Sequence, residues 1–197
     1  ILFAKNSKKP AIGNRISVHA TLKMEGHTAI PNKDAPSFKN AGAKTLVLCD
    51  TNGGTLPNEI KEITKDVERE FGNIVGIHCH NDIGMAVANS IVALESGVRH
   101  IQGTFIGIGE RCGNTNLSTV IPTAILKMNF NMKSKEYLHD LTAKARYISE
   151  ISNIQIEDST LYIGKSAFAH KGGMHIDAIC KTPKSYEHIN PELVGNE

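Results

Sequence analysis

Between residues 44 and 105 the chain alternates short apolar runs with helical stripes, and that alternation commits it to a parallel α/β sheet. Lys44-Thr45-Leu46-Val47-Leu48-Cys49-Asp50 reads as a buried parallel strand, apolar through its middle and polar at its exit. Residues 51–54 form a strand-to-helix loop. Thr55 is the expected cap of the next helix, with Pro57 in its first turn and Glu59 close behind. Ile60, Ile63, Val67 and Phe71 recur at helical spacing and define its buried stripe, which Gly72-Asn73 ends. Residues 74–80 are the second strand. A small-residue helix over 85–95 follows, with Val87, Ile91 and Leu94 as its expected core positions. Residues 100–105 are the third strand, feeding a glycine-rich loop over 107–113. Right-handed crossovers join such units. Pattern alone leaves both an open doubly wound sheet and a closed barrel.

Composition narrows the function classes. A chain of 197 residues with 40% hydrophobic and 21% charged content is an ordinary globular one, and a net charge of +2 points away from nucleic acid and acidic membranes. No apolar run approaches the ~20 residues that span a bilayer. The first residues lack the plan of a secretory signal. Cys49, Cys79, Cys112 and Cys180 show no C-x-x-C spacing and read as reduced thiols in the cytoplasm. Residues 1–40 are polar, proline-punctuated and poorly readable. With Ile1 at the start, the expectation is a segment of a longer protein. Helical segments are expected over 117–128 and 135–151. A domain boundary is expected near residue 155, so that 41–155 is one domain and 156–197 a small appendage whose stretch from 166 is rich in glycine and histidine.

The residues that could carry chemistry close the second and third strands. Alternate strand residues share a face, so His78 and His80 point one way and Cys79 the other. Two imidazoles on one face, at the carboxyl end of a parallel strand, can hold a divalent metal, and Asn114 could join them from the neighbouring strand end. Histidine mixed with oxygen suits Zn, Mn, Fe or Co better than Ca. The plain alternative is a pair of hydrogen-bonded strand-end histidines. For Glu110 and Arg111 it is a surface salt bridge. Gly107, Gly109 and Gly113 let backbone pass close to a ligand, and their spacing misses the dinucleotide fingerprint.

The segments HCHND (78–82) and GIGERCGN (107–114) resemble the metal-dependent aldolase/lyase superfamily of pyruvate-carboxylase type, in its branch of acetyl-CoA-condensing synthases. That branch holds 2-isopropylmalate, homocitrate and citramalate synthases. The distal stretch SAFAHKGGMHIDAI with SYEHINPELVGNE is most similar to citramalate synthases. The resemblance covers residues ~41–197. It implies the C-terminal part of a (β/α)8 TIM barrel followed by a small α-rich linker subdomain, with the three strands above as the barrel's last.

It also implies His78 and His80 as metal ligands and Asn114 as a ligand or near-ligand. His175, Tyr186 and Asp177 would match functional positions of a subdomain that lies over the partner protomer's site in a homodimer. His175 is the expected acid/base, Tyr186 its competitor and Asp177 its orienting partner, while Glu110 organises the site. For these three distal residues the plain alternative is a hydrogen-bonded turn network. The family's third protein ligand, an aspartate in an Arg-Asp motif on the first strand, has no counterpart in these 197 residues.

The implied reaction is a Claisen condensation of acetyl-CoA with a 2-oxo acid, pyruvate preferred, assisted by Mn, Mg, Zn or Co. It belongs to isoleucine or leucine biosynthesis. The competing expectations are 2-isopropylmalate or homocitrate synthase, a hydroxymethylglutaryl-CoA-type lyase with Cys112 in its loop, and a non-catalytic regulatory chain.

Overall fold

The strand expected at 44–50 spans Thr45–Asp50 (β3), and every one of its six residues is buried, as a strand covered on both faces requires. The structure, a computed structural model, describes residues 19–25, 28–29, 40 and 42–197. Two strands precede β3 in the segment that the sequence left unread: β1 (His19–Glu25) and the two-residue β2 (Thr28–Ala29). β4 (Val75–Cys79) and β5 (His100–Gln102) follow. The sheet order is β2-β1-β3-β4-β5; β1, β3, β4 and β5 run parallel, and β2 turns back antiparallel on β1. Register sets Cys49 beside His78 and His78 beside Gln102. Those three positions share one face, while Asp50 and Cys79 share the other.

The helices α1 (Pro57–Phe71) and α2 (Ala86–Glu95) are the crossovers. α1 buries Ile60, Ile63, Val67 and Phe71, the stripe read from spacing. Such side chains each contribute roughly 1.5–3 kcal/mol on leaving water. Its cap differs from expectation. Leu56 is the N-cap, the Glu59 carboxylate accepts from the Leu56 N–H at 2.9 Å, and Thr55 instead donates its hydroxyl to Asp50 at 2.8 Å.

The buried face of α2 is also a correction. Of Val87, Ile91 and Leu94 only Leu94 is buried, and its companions are Ala86, Asn89, Ser90 and Ala93. Polar groups are tolerated there because they are bonded. The Asn89 amide donates to Thr55 O at 2.8 Å, and the hydroxyls of Ser90 and Thr115 meet at 2.9 Å.

The chain divides between Asn116 and Leu117 into two compact units. The division falls ahead of the helices expected at 117–128 and 135–151, whereas sequence texture suggested a boundary near 155. The second unit holds α3 (Leu117–Leu126), a 3-10 stretch (Lys133–Asp140), α4 (Leu141–Ser152) and α5 (Gly173–Lys181). Its C-terminal turn is stitched down by Thr142 Oγ1 donating to Val194 O at 2.7 Å and by the Asn196 amide donating to Tyr162 O and Gly164 O at 2.9 Å each. α5 buries no residue.

Candidate metal centre

Beyond β4 the backbone pairs once more. His80 and Asn114 face each other in an antiparallel bridge, flanked by Asn81 N–H to Gly113 O at 2.9 Å and Thr115 N–H to Cys79 O at 3.0 Å. Bonds that flank a pair rather than join it mark the closely spaced kind of antiparallel pair, in which the side chains stand side by side on one face. Strand alternation adds His78 to that face, and the two imidazole rings lie 5.2 Å apart, edge to face.

Three buried polar atoms of these residues have no hydrogen-bond partner among the described residues: Nδ1 of His78, Nδ1 of His80 and Oδ1 of Asn114. Buried polar atoms are rarely left so, and three such atoms on residues that share one face are a candidate donor set for a cation. One imidazole nitrogen from each of two histidines with a carbonyl oxygen fits a borderline divalent metal. The Asn114 amide nitrogen donates to Ile108 O at 3.3 Å, which directs its oxygen the other way. Burial and, next, the charge of His80 hold His78 below the usual histidine range, so the ring is neutral as a ligand must be; a hydrogen bond with Gln102 offsets part of this. Among the described residues no cluster of three His, Cys, Asp or Glu side chains forms.

Gln102 went unremarked in the sequence, because only register places it beside His78. The partner of Arg111 is likewise set by the fold: it is Asp82. The guanidinium donates Nε to Asp82 Oδ1 at 2.7 Å, Nη2 to Asp82 Oδ2 at 3.0 Å, and Nη2 to Thr51 O at 2.7 Å. The salt bridge considered for Arg111 therefore exists, and it ties strand-end loops together. Gly113, at φ 91°, is indispensable to this fold-back, since a Cβ there would overlap Gly107 O. On the opposite face the Cys79 thiol is wholly buried and pushed above its ordinary range by burial, which leaves it inert as a nucleophile.

The other expected site residues lie as follows. Glu110 is exposed at the loop tip, and its backbone oxygen accepts from Gly113 N–H at 3.0 Å. In the second unit His175 and Tyr186 stack with ring centroids 4.3 Å apart, and His170 lies 6.3 and 6.2 Å from them. Asp177 turns to Lys181, accepting from its ammonium at 2.7 Å. Residues two apart on a helix do not face each other, so α5 holds Asp177 away from His175.

Residues 15–150 match the family model described as HMGL-like. The chain belongs to the HMGL-like family. Residues 162–197 match a second model, described as homocitrate synthase post-HMGL domain-like. The (R)-citramalate synthase of Synechocystis sp. is 47% identical over 94% of this chain and 36% of its own length, and that of Aquifex aeolicus 54% identical over 79% and 30%. A 2-isopropylmalate synthase of Buchnera aphidicola is 40% identical over 98% of this chain and 39% of its own. The chain thus spans about a third of the length of the curated relatives it matches.

Among solved structures, an HMG-CoA lyase from Bacillus subtilis aligns with a TM-score of 0.56 at 22% identity, covering 70% of this chain and 50% of that one. The N-terminal domain of a putative aldolase from Bacteroides vulgatus aligns at 0.55, also at 22% identity, over 70% and 46%. These likenesses bear on the fold alone, and they decide between barrel and open sheet. The parallel strands and their helices are part of a TIM barrel.

Proposed function

We propose that the protein joins acetyl-CoA to a 2-oxo acid, pyruvate first, giving citramalate and free CoA. The observation that carries this is the shared face of His78, His80 and Asn114, with His78 Nδ1, His80 Nδ1 and Asn114 Oδ1 buried and unpartnered among the described residues, in a chain whose relatives include (R)-citramalate synthases at 40–54% identity. A divalent cation held by those three residues supplies, when bound, a Lewis acid for a 2-oxo acid carbonyl. The chain's own contribution is orientation and proton transfer. The backbone bridge fixes His80 against Asn114, and Gln102 stands beside His78 in register. Glu110, at the rim, organises substrate and water.

His175 removes the methyl proton of acetyl-CoA at a ring nitrogen, with Tyr186 as the alternative proton carrier. The methyl carbon then bonds to the carbonyl carbon of the 2-oxo acid, whose C=O π bond opens and whose oxygen takes up a proton. Water adds its hydroxyl to the acyl carbon as the thioester C–S bond breaks, and its proton leaves with CoA as the free thiol. The stacking of His175 on Tyr186 favours Tyr186 as the neighbour that fixes the ring, a role earlier expected of Asp177.

In this reading residues 41–155 are barrel and 156–197 a linker subdomain that works on a second copy of the chain. α5, with nothing buried on any face, supports that docking. Four free cysteines support a reducing, cytoplasmic setting, and among the described residues no helix is long and apolar enough to cross a membrane.

The test is release of CoA thiol by the full-length protein from acetyl-CoA with Mn or Mg, with pyruvate and 2-oxoisovalerate in parallel. A protein blank corrects for the exposed Cys112 and Cys180. Pyruvate-dependent release is expected. A preference for 2-oxoisovalerate would move the reading to 2-isopropylmalate synthase, which the Buchnera relative favours. Release with neither would overturn the pyruvate reading and leave another 2-oxo acid, a lyase or a non-catalytic chain.

A further inference from the structure

We propose that Arg111 and Asp82 are positioning residues of the metal centre, holding Asn114 against His80 across three strand-end loops. The proposal rests on the metal reading above. The backbone bonds that set His80 beside Asn114 are two, Asn81 N–H to Gly113 O and Thr115 N–H to Cys79 O. One residue past the first of them on the β4 side stands Asp82, and two residues before Gly113 on the returning strand stands Arg111.

Their side chains close the open end of that short ladder with two parallel N–H···O bonds of 2.7 and 3.0 Å. The same guanidinium reaches the loop after β3 through Thr51 O at 2.7 Å. That loop is shaped for the carboxylate: Gly53 sits at φ +67°, its carbonyl accepts from Ile83 N–H at 3.3 Å, and a Cβ on it would overlap Asp82 Oδ2.

Ion pairs this exposed contribute little to global stability. A planar fork that bonds a carboxylate and a backbone carbonyl together still fixes direction, which a lysine ammonium cannot reproduce. The pair therefore governs where Asn114 Oδ1 and the His80 ring stand, more than whether the barrel folds. Partners that orient ligands are worth roughly 10- to 100-fold in metal affinity.

The test uses the full-length protein stripped of metal, titrated calorimetrically with Mn2+. The variants are R111K, D82N, the R111K/D82N double, H78A as a ligand control and K144A as a surface ion-pair control. Unfolding of each metal-free protein is followed in parallel, and Co2+ loading reports ligand geometry through its visible absorption. R111K and D82N are each expected to weaken Mn2+ binding about 10- to 100-fold. They should also alter the Co2+ spectrum and move the metal-free Tm by less than about 2 °C. The double variant should be no weaker than the weaker single one, and K144A should match the parent.

Affinities within about twofold of the parent in R111K and D82N, with H78A unable to bind, would overturn the positioning role and leave the metal reading standing. A large fall in metal-free Tm alongside affinity would overturn it too, by making the pair a staple of the fold. A parent that binds no Mn2+, or binds it as well as H78A does, would overturn both.

Discussion

The strand-end loops of the first unit and the distal stretch around α5 carry the two halves of the proposed chemistry, and they are built in opposite ways. Around His80 and Asn114 each loop is fixed by backbone bonds, the Arg111 fork and a buried polar layer of Asn89, Ser90 and Thr115 behind the sheet. Around His175 the helix has no buried residue, Met174 is 83% exposed, and rings stacked on rings supply the order. A metal centre needs its donors placed before the ion arrives, because misplaced donors cost affinity directly. A group that acts on a substrate from a docking surface needs that surface first.

The contrast is sharpest where a single ligand is removed. H80A is expected to lower metal-dependent turnover on the order of 10³-fold or more, with metal binding lost in calorimetry. H175N should lower turnover by about 10²–10⁴-fold while leaving metal affinity and Tm at the parent values. Unchanged turnover would take His175 out of the mechanism. G113A, which forces a Cβ onto Gly107 O at a positive φ, should cost about 2–4 kcal/mol in denaturant unfolding and weaken metal binding with it. M174S on α5 should change unfolding by less than about 0.5 kcal/mol, because that side chain leaves no water on folding of the monomer.

The smallest effect is a pH dependence in the distal region. His188 lies against Phe168 and Tyr162, and its burial, then the nearby Lys127, holds it below the usual histidine range. A depressed histidine favours the native state most when neutral. Its contribution is complete above the unfolded value of about 6.5 and is lost as pH falls from there through the lowered folded value. Tm should therefore fall more between neutral and mildly acid pH in the parent than in H188Q, measured by thermal unfolding in matched buffers.

What the sequence made legible follows the physics of period and punctuation. β3 and β4 showed as apolar runs, and α1 as a stripe closed by Gly72, because burial there is decided by hydrophobic spacing. The same spacing misassigned α2, where Asn89 and Ser90 are buried for hydrogen bonds and Val87 and Ile91 are only half-covered. β1 carried the period-2 signal of a strand, Ala20, Leu22 and Met24 between His19, Thr21, Lys23 and Glu25, and went unread inside a polar, proline-punctuated segment. α5 escaped because glycines open it and its apolar residues, Met174, Ile176, Ala178, Ile179 and Cys180, spread around the helix instead of forming one stripe.

At the site, His78, His80 and Asn114 could be named from two motifs. Their common face rests on the strand period and one backbone bridge. Gln102 and the Asp82–Arg111 tie could not be, since register and a contact across 29 residues are properties of the folded sheet.

X-ray absorption at the zinc edge of the Zn-loaded full-length protein tests the central claim most directly. The account predicts two imidazole nitrogens at about 2.0–2.1 Å, the remaining ligands oxygen, and loss of the imidazole signature in the H78A/H80A double variant. A shell containing thiolate sulfur, or one unchanged by removing both histidines, would contradict it.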